Sequence, residues 1–184
     1  VSTPRQRRTK VNCSKNHSTY RSVATISALA LVTLLSACGG EAAHYEYVHT
    51  VGVEQGFNMP YTPAIKVSSG TTVYLSGLTA APVYHSHPHV PSEFDHLDFS
   101  AAGQAEAAME NLKATVEAAG GQLSDIVQLT RFIVDQDANQ DGINEVFARY
   151  WGDHRPASTS VEIPRLATGP RFVLEIEAIA VIPD

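Results

Sequence analysis

The most chemically suggestive segment of the sequence is a histidine tract. Histidines alternate with other residues over His85-Ser86-His87-Pro88-His89, and His96 follows nearby. Alternate side chains of an extended chain project to the same side, and imidazole is a good ligand for zinc, copper or nickel. The same residues would also suit an ordinary solvated loop, and no cysteine lies close to them. We therefore predict no metal ligands, with a transition-metal site in this tract as the open alternative.

A second polar group extends from Asp137 to Gly142 and is followed by Glu145. Oxygen-bearing side chains at alternate positions and a glycine at the turn are typical of the first half of a calcium loop. The complete loop would need a glutamate where the sequence has Ala148. An acidic turn ahead of a helix explains the same residues, because negative charge is favourable at a helix N-terminus. Calcium binding is therefore a second open alternative.

The charge distribution argues against one class of partner. All 19 Asp and Glu residues of the 184-residue chain lie beyond residue 37. Only seven Lys and Arg accompany them, which gives that part a net charge of −12 with neutral histidines. Nucleic-acid binding depends on clustered Lys and Arg, so we expect no nucleic-acid partner. The two cysteines, Cys13 and Cys38, precede the folded part, so we also expect no disulfide framework there.

The first 37 residues have the composition of an export signal. A basic, acid-free stretch precedes an apolar run over 23–37, which is shorter than the roughly 20 residues of a bilayer span. The run ends in Leu35-Ser36-Ala37-Cys38, which resembles the bacterial lipobox, whose cysteine is acylated and becomes the mature N-terminus. We predict a signal peptide at 1–37, a tether at 38–45 and an exported lipoprotein that Cys38 anchors to a membrane, on the periplasmic or cell-surface side.

Periodicity predicts one folded domain over residues 46–184. The expected strands are 45–53, 64–67, 72–76, 126–134, 159–163 and 172–182, and the expected helices are 100–119 and 141–150. The order β-β-β-α-β-α-β-β indicates an α+β fold, a sheet with two helices on one face. The last strand is apolar on both faces, so the uncovered face requires a second subunit.

Six short segments resemble, in the same order, motifs of the Rid/YjgF family. They are PYTPA at 60–64, LSG at 75–77, NLKA at 111–114, INEVF at 143–147, RPASTSVE at 155–162 and LEIEAIAV at 174–181. The resemblance implies a chorismate-mutase-like fold and a homotrimer whose sheets form a central barrel, with small-molecule clefts between subunits. Many members of the family hydrolyse imines and enamines to keto acids and ammonia without any cofactor.

The resemblance also implies site residues. The substrate-binding positions of the family fall on Tyr61, Gly77, Asn144, Ser158 and Ser160, and its catalytic glutamate falls on Glu175. Ser158 replaces the family arginine that grips the substrate carboxylate through a bidentate, charge-assisted pair. Arg155 lies three residues upstream, and odd spacing on a strand would direct it to the opposite face.

These observations lead to a functional expectation. We expect a homotrimer that binds a small molecule in its intersubunit clefts, without efficient imino-acid deaminase activity and without a cofactor. Whether it is an enzyme stays open. One alternative is a hydrolase resembling 2-iminobutanoate/2-iminopropanoate deaminases with altered specificity. The other is a chaperone-like or surface interaction module.

Overall fold

The computed structural model describes residues 45–50 and 59–184 and has the element order expected from the sequence. The elements are β1 (Tyr45–Val48), β2 (Ala64–Val67), β3 (Thr71–Leu78), α1 (Ala101–Ala118), β4 (Ile126–Ile133), α2 (Gln136–Trp151), β5 (Ala157–Glu162) and β6 (Leu174–Ile182). The predicted signal peptide and residues 38–44 of the predicted tether lie outside the described residues. Within the described ranges, no helix combines the length and apolarity needed to cross a membrane.

The strands form two sheets, so the α+β class is confirmed but the sheet is divided. β1 and β2 pair antiparallel, and the second sheet has the order β3-β6-β4-β5. Within it, β4 and β5 are parallel, whereas β6 is antiparallel to both of its neighbours. Buried residues of α1, α2, β3, β4 and β6 form one continuous core, which places both helices on the same face of this sheet.

The boundaries of α1 follow from its capping residues. The Ser100 hydroxyl accepts a hydrogen bond from the Gly103 amide at 3.0 Å, which caps the N-terminus. The helix ends before Gly120, whose φ of 93° is favourable only for glycine. Between these ends, one apolar stripe is buried against the sheet: Ala105, Ala108, Met109, Leu112 and Val116.

A buried amide in α1 ties this helix to the chain before and after it. Gln104 is 0% exposed, and its Nε2 donates to the carbonyls of Phe99 and Arg171 at 3.1 and 3.0 Å. Its Oε1 accepts from the Val173 amide at 2.9 Å. One side chain therefore satisfies three backbone groups that lie outside regular secondary structure.

The second helix begins earlier than the sequence predicted. The expected start was residue 141, whereas α2 begins at Gln136, directly after Asp135 in the left-handed region at φ 48°. The polar residues from Asp137 to Gly142 therefore lie in helical backbone. Successive residues of a helix are about 100° apart, so these oxygens diverge instead of converging. The calcium-loop alternative does not fit this geometry.

The two faces of β6 differ in character. Leu174, Ile176 and Ala178 belong to the core beneath the helices. The intervening Glu175 and Glu177 point to the opposite face, because side chains alternate along a strand. This face is therefore mixed, and less apolar than the sequence pattern predicted. Trimerisation through it stays a prediction.

Candidate functional site

A pocket of about 380 Å³ opens beside α2, β4 and β5. It brings together four of the residues predicted for the site: Tyr61, Asn144, Ser158 and Ser160. Apolar side chains of Leu129, Phe147 and Trp151 complete its wall. This volume falls within the range of about 300–1,000 Å³ that is usual for small-molecule sites.

Strand register explains why the polar residues meet. The parallel pairing of β4 with β5 sets Leu129 beside Ser158 and Arg131 beside Ser160. Residues two apart on a strand share a face, so all four side chains point to the same side of the sheet. Leu129 belongs to the core under the helices, which identifies that side as the helix-covered face.

Arg131 is, with Arg155, one of two charged groups that line the pocket. Its Nη1 donates to Asn144 Oδ1 at 2.7 Å, and its Nη2 donates to Ser160 Oγ at 2.6 Å. The guanidinium carbon lies 5.4 Å from the centre of the Phe147 ring, which adds a cation–π contact. These contacts place a cation between two residues that the family resemblance had already assigned to substrate binding.

The charge of Arg131 has no acidic partner among the described residues. The ion pairs found there join Lys66 to Glu46, Arg149 to Glu106 and Arg171 to Asp95. The Nε of Arg131 is buried and has no hydrogen-bond partner within residues 45–50 and 59–184. Burial lowers the pKa of Arg131 below its usual value, because a desolvated guanidinium is less stable in its charged form. An anion in the pocket would pair with the charge of Arg131.

Tyr61 and Arg155 flank the pocket from two connecting segments. The amide of Thr62 donates to the Pro156 carbonyl at 3.4 Å, which fixes Tyr61 next to the start of β5. Arg155 precedes β5 and also lines the pocket, so the expectation that strand alternation turns it away was wrong. Its Nη1 donates to the carbonyls of Gly152 and His154, which holds its head group against the chain.

Gly77 and Glu175 form a separate pair on the opposite face of the sheet. A Cβ atom on Gly77 would lie 2.2 Å from Glu175 Oε1, so any other residue there would force this carboxylate to move. Burial, and secondarily the charge of Glu177, raises the pKa of Glu175. A carboxyl group with a raised pKa can exchange protons closer to neutral pH. Within one chain, however, this pair does not reach the pocket.

Arg131 is the residue that sequence reasoning missed. One signal was available, because Arg131 is a cation inside the mostly apolar strand Ile126–Ile133. Charged residues are rarely placed in such strands unless they are paired or functional. The sequence could not show which strand would pair with β4, and that pairing places Arg131 beside Ser160.

Comparisons with known proteins agree with the fold and identify the family. The family model described as Endoribonuclease L-PSP matches residues 55–182. The chain is 34% identical to Protein DfrA of Myxococcus xanthus over 122 residues, which is 66% of this chain and 85% of that protein. It is 35% identical to the "Putative reactive intermediate deaminase TdcF" of Escherichia coli over 126 residues, which is 66% of this chain and 86% of that protein.

Solved structures show the same architecture. A Thermotoga maritima protein called a putative endoribonuclease is 30% identical, with a TM-score of 0.50 over 78% of this chain and 98% of that chain. A Yersinia pestis protein of the Rid family aligns with a TM-score of 0.58 over 75% of this chain and 98% of that chain. Its 22% identity supports the fold alone. The matched residues, the related sequences and the shared architecture together show that this chain belongs to the Rid/YjgF family.

Proposed function

We propose that this chain binds a compact molecule bearing a carboxylate in the pocket beside α2, with Arg131 as the charged anchor. The observation that carries the proposal is a partly buried guanidinium without an acidic partner among the described residues. A buried charge is costly unless it is paired, so the pocket is poised for an anion. Pyruvate-like and 2-oxobutanoate-like acids have the required size and charge.

The hydrogen bonds of Arg131 still leave donors for a ligand. Asn144 and Ser160 each accept one bond, from Nη1 and Nη2 respectively. Each terminal nitrogen of a guanidinium carries a second N–H, so a forked arrangement remains available to a carboxylate. Asn144 and Ser160 then act as supports that fix the orientation of the guanidinium.

The apolar wall limits the rest of the ligand. Leu129, Phe147 and Trp151 favour a short hydrocarbon chain next to the carboxylate. A polynucleotide fits poorly, although the matching family model is described as an endoribonuclease. The net charge of −12 beyond residue 37 would repel a phosphate backbone.

Hydrolysis of imines or enamines is a second candidate function, and Glu175 favours it. Its half-buried carboxyl group with a raised pKa is suited to moving a proton to or from water. Because it lies on the sheet face away from the pocket, we propose that a neighbouring subunit of a homotrimer supplies the Gly77–Glu175 pair to each cleft. Light scattering should then give a trimer mass at micromolar protein, and a monomer mass would contradict this arrangement.

We expect such hydrolysis to be inefficient because the cation is displaced from the family position. Arg131 pairs with Ser160, whereas Ser158, at the family arginine position, pairs with Leu129. The backbone position that carries the guanidinium therefore lies on a different strand from Ser158, and about 7 Å further along the strand direction. A carboxylate held there would shift the reacting carbon, and misplacement by about 1 Å can cost a hundredfold in rate.

The test of the proposed function is the variant Arg131→Met. We expect calorimetric binding of 2-oxobutanoate to weaken by about tenfold to a hundredfold, because charge-assisted hydrogen bonds are worth roughly 1.5–3 kcal/mol. Arg149→Met is the matched control, since Arg149 lies on α2 but is exposed and paired with Glu106. Equal binding by both variants would contradict the role of Arg131 as the anchor. No binding of any small carboxylate by the parent chain would overturn the proposal and favour the interaction-module alternative.

We also propose that Cys38 carries a lipid anchor, based on the LSAC sequence at 35–38 after the apolar run. Several acyl chains on one residue are sufficient for stable membrane attachment, whereas one chain is marginal. Mass spectrometry of the natively expressed protein should find a lipid-modified N-terminus at Cys38. Recovery of an uncleaved cytoplasmic chain would contradict this localisation.

A further inference from the structure

The connection between β3 and α1 gathers three histidines that the pocket does not use. The ring centres of His85, His87 and His89 are separated by 4.8, 5.0 and 4.6 Å. One ring nitrogen of each residue lies within 4.8 Å of those of the other two. Three imidazoles are thus already close to the spacing of ligands around one metal ion.

The hydrogen bonding of His85 identifies which nitrogen is free. Its Nδ1 lies 2.7 Å from the Pro82 carbonyl oxygen, which can only accept, so Nδ1 carries the proton. In the neutral ring, Nε2 is then an unprotonated acceptor. This Nε2 is buried and has no hydrogen-bond partner in the part of the chain that the structure describes. Metal-bound histidines typically donate their other ring N–H to a carbonyl or carboxylate in the same way.

Three sets of contacts hold the connection between β3 and α1 that carries the histidines. Phe94 is buried and presents its ring edge-on to His85 at a centroid distance of 5.4 Å. Glu93 accepts hydrogen bonds from both the amide and the hydroxyl of Ser86, which closes the turn around the histidines. Asn111 of α1 donates to the carbonyls of Thr79 and Ala81 at 2.9 and 2.8 Å. The imidazoles therefore project from a supported scaffold, unlike those of a freely solvated tract.

We propose that His85, His87 and His89 bind one divalent transition-metal ion, with zinc as the reference case. Zinc–nitrogen bonds of about 2.0–2.1 Å in a tetrahedral site require nitrogens roughly 3.3 Å apart, so no pair of ligand nitrogens must approach by more than about 1.5 Å. The ion would satisfy the buried Nε2 of His85. His87 is exposed, so a fourth position faces solvent and is open to water or an external ligand.

The negative charge of Glu93 favours a cation at this place. Its two hydrogen bonds from Ser86 hold it beside the cluster as a supporting group. The cluster shares no residue with the pocket, so the metal proposal does not depend on the proposed function.

The test is zinc binding by the full chain, measured by competition with a chromophoric chelator. The chain contains eight histidines and two cysteines, so the measurement is a difference between variants. We expect the parent to bind one more equivalent of Zn²⁺ than the triple variant His85→Gln, His87→Gln, His89→Gln. The control His96→Gln, an exposed histidine in the same connection, should bind as the parent does. Equal stoichiometry in parent and triple variant would overturn the proposal.

Two further measurements guard against a folding artefact. The single variant His87→Gln changes only an exposed side chain, and it should weaken zinc binding by roughly tenfold or more, since even outer-shell changes cost on the order of ten- to a hundredfold. Co²⁺ bound to the parent should give the visible absorption of a nitrogen-ligated, four-coordinate ion, and the triple variant should lack it. Unchanged affinity in His87→Gln, or parent binding of Mg²⁺ as strong as that of Zn²⁺, would contradict a three-histidine site.

Discussion

Moving the pocket cation back to the family position should raise hydrolysis of 2-imino acids about a hundredfold. The change is the double variant Arg131→Val, Ser158→Arg, compared with the parent chain. Ser158 offers a single neutral donor, whereas an arginine there would form a bidentate pair with the substrate carboxylate. Such a pair is worth on the order of 3 kcal/mol, or about a hundredfold in kcat/KM. The assay generates imines in place with an amino-acid oxidase and measures their loss.

The two single variants distinguish the effect of adding or removing a positive charge from the effect of its position in the pocket. Ser158→Arg alone leaves two guanidinium groups on neighbouring strands, so mutual repulsion should make its gain smaller than that of the double variant. Arg131→Val alone should weaken ligand binding as Arg131→Met does, and it should lower any residual turnover. If the parent already hydrolyses imines as fast as relatives with an arginine at this position, the displaced cation does not lower the rate of hydrolysis. If the double variant binds 2-oxobutanoate but gains no turnover, the Gly77–Glu175 pair is not competent.

Replacing the buried amide of α1 should cost about 3–5 kcal/mol of unfolding free energy. Gln104→Leu removes the partners of the Phe99 and Arg171 carbonyls and of the Val173 amide. Each buried backbone group that is left unsatisfied costs about 1–3 kcal/mol, and leucine cannot replace any of these bonds. The loss is a large part of the 5–15 kcal/mol that usually separates folded from unfolded protein. Urea unfolding followed by circular dichroism measures it.

Gln128→Leu is the matched control for this change. Gln128 is exposed on β4, so the same substitution there should alter stability by no more than about 0.5 kcal/mol. A loss below about 1 kcal/mol in Gln104→Leu would mean that water or a shifted backbone satisfies the three groups. The network around Gln104 would then not hold the segments 99–100 and 171–173 in place.

The sequence predicted the element order well because local signals dominate it. The apolar stripe of α1, with Ser100 before it and Gly120 after it, determines a helix without reference to the rest of the chain. The start of α2 was misplaced because Asp137 and Gly142 are typical of turns. Helix propensity is a weak guide where the packing of Ile143, Val146 and Phe147 extends a helix into polar residues.

The site was predictable only where it follows the family motifs. Tyr61, Asn144, Ser158 and Ser160 were found through those motifs and meet in one pocket. Arg131 could not be placed, because its role depends on the pairing of two strands that are separated by a whole helix. The histidine tract was visible in the sequence. The free Nε2 of His85, however, depends on a hydrogen bond to Pro82 that no spacing rule predicts.

The parallel pairing of β4 with β5 also constrains how this pocket can evolve. Side chains reach the pocket only from every second residue of each strand, so the cation can occupy a few discrete positions. A one-residue insertion at the start of β4 would turn Arg131 to the far side of the sheet, together with the core residues Leu129 and Ile133 that share its face. Moving the cation from position 158 to position 131 by two point substitutions leaves the pairing of β4 with β5 unchanged. Ligand preference in this fold can therefore change when the cation moves from one pocket-facing strand position to another. It cannot change through the gradual lengthening of a strand, because an added residue turns the cation away from the pocket.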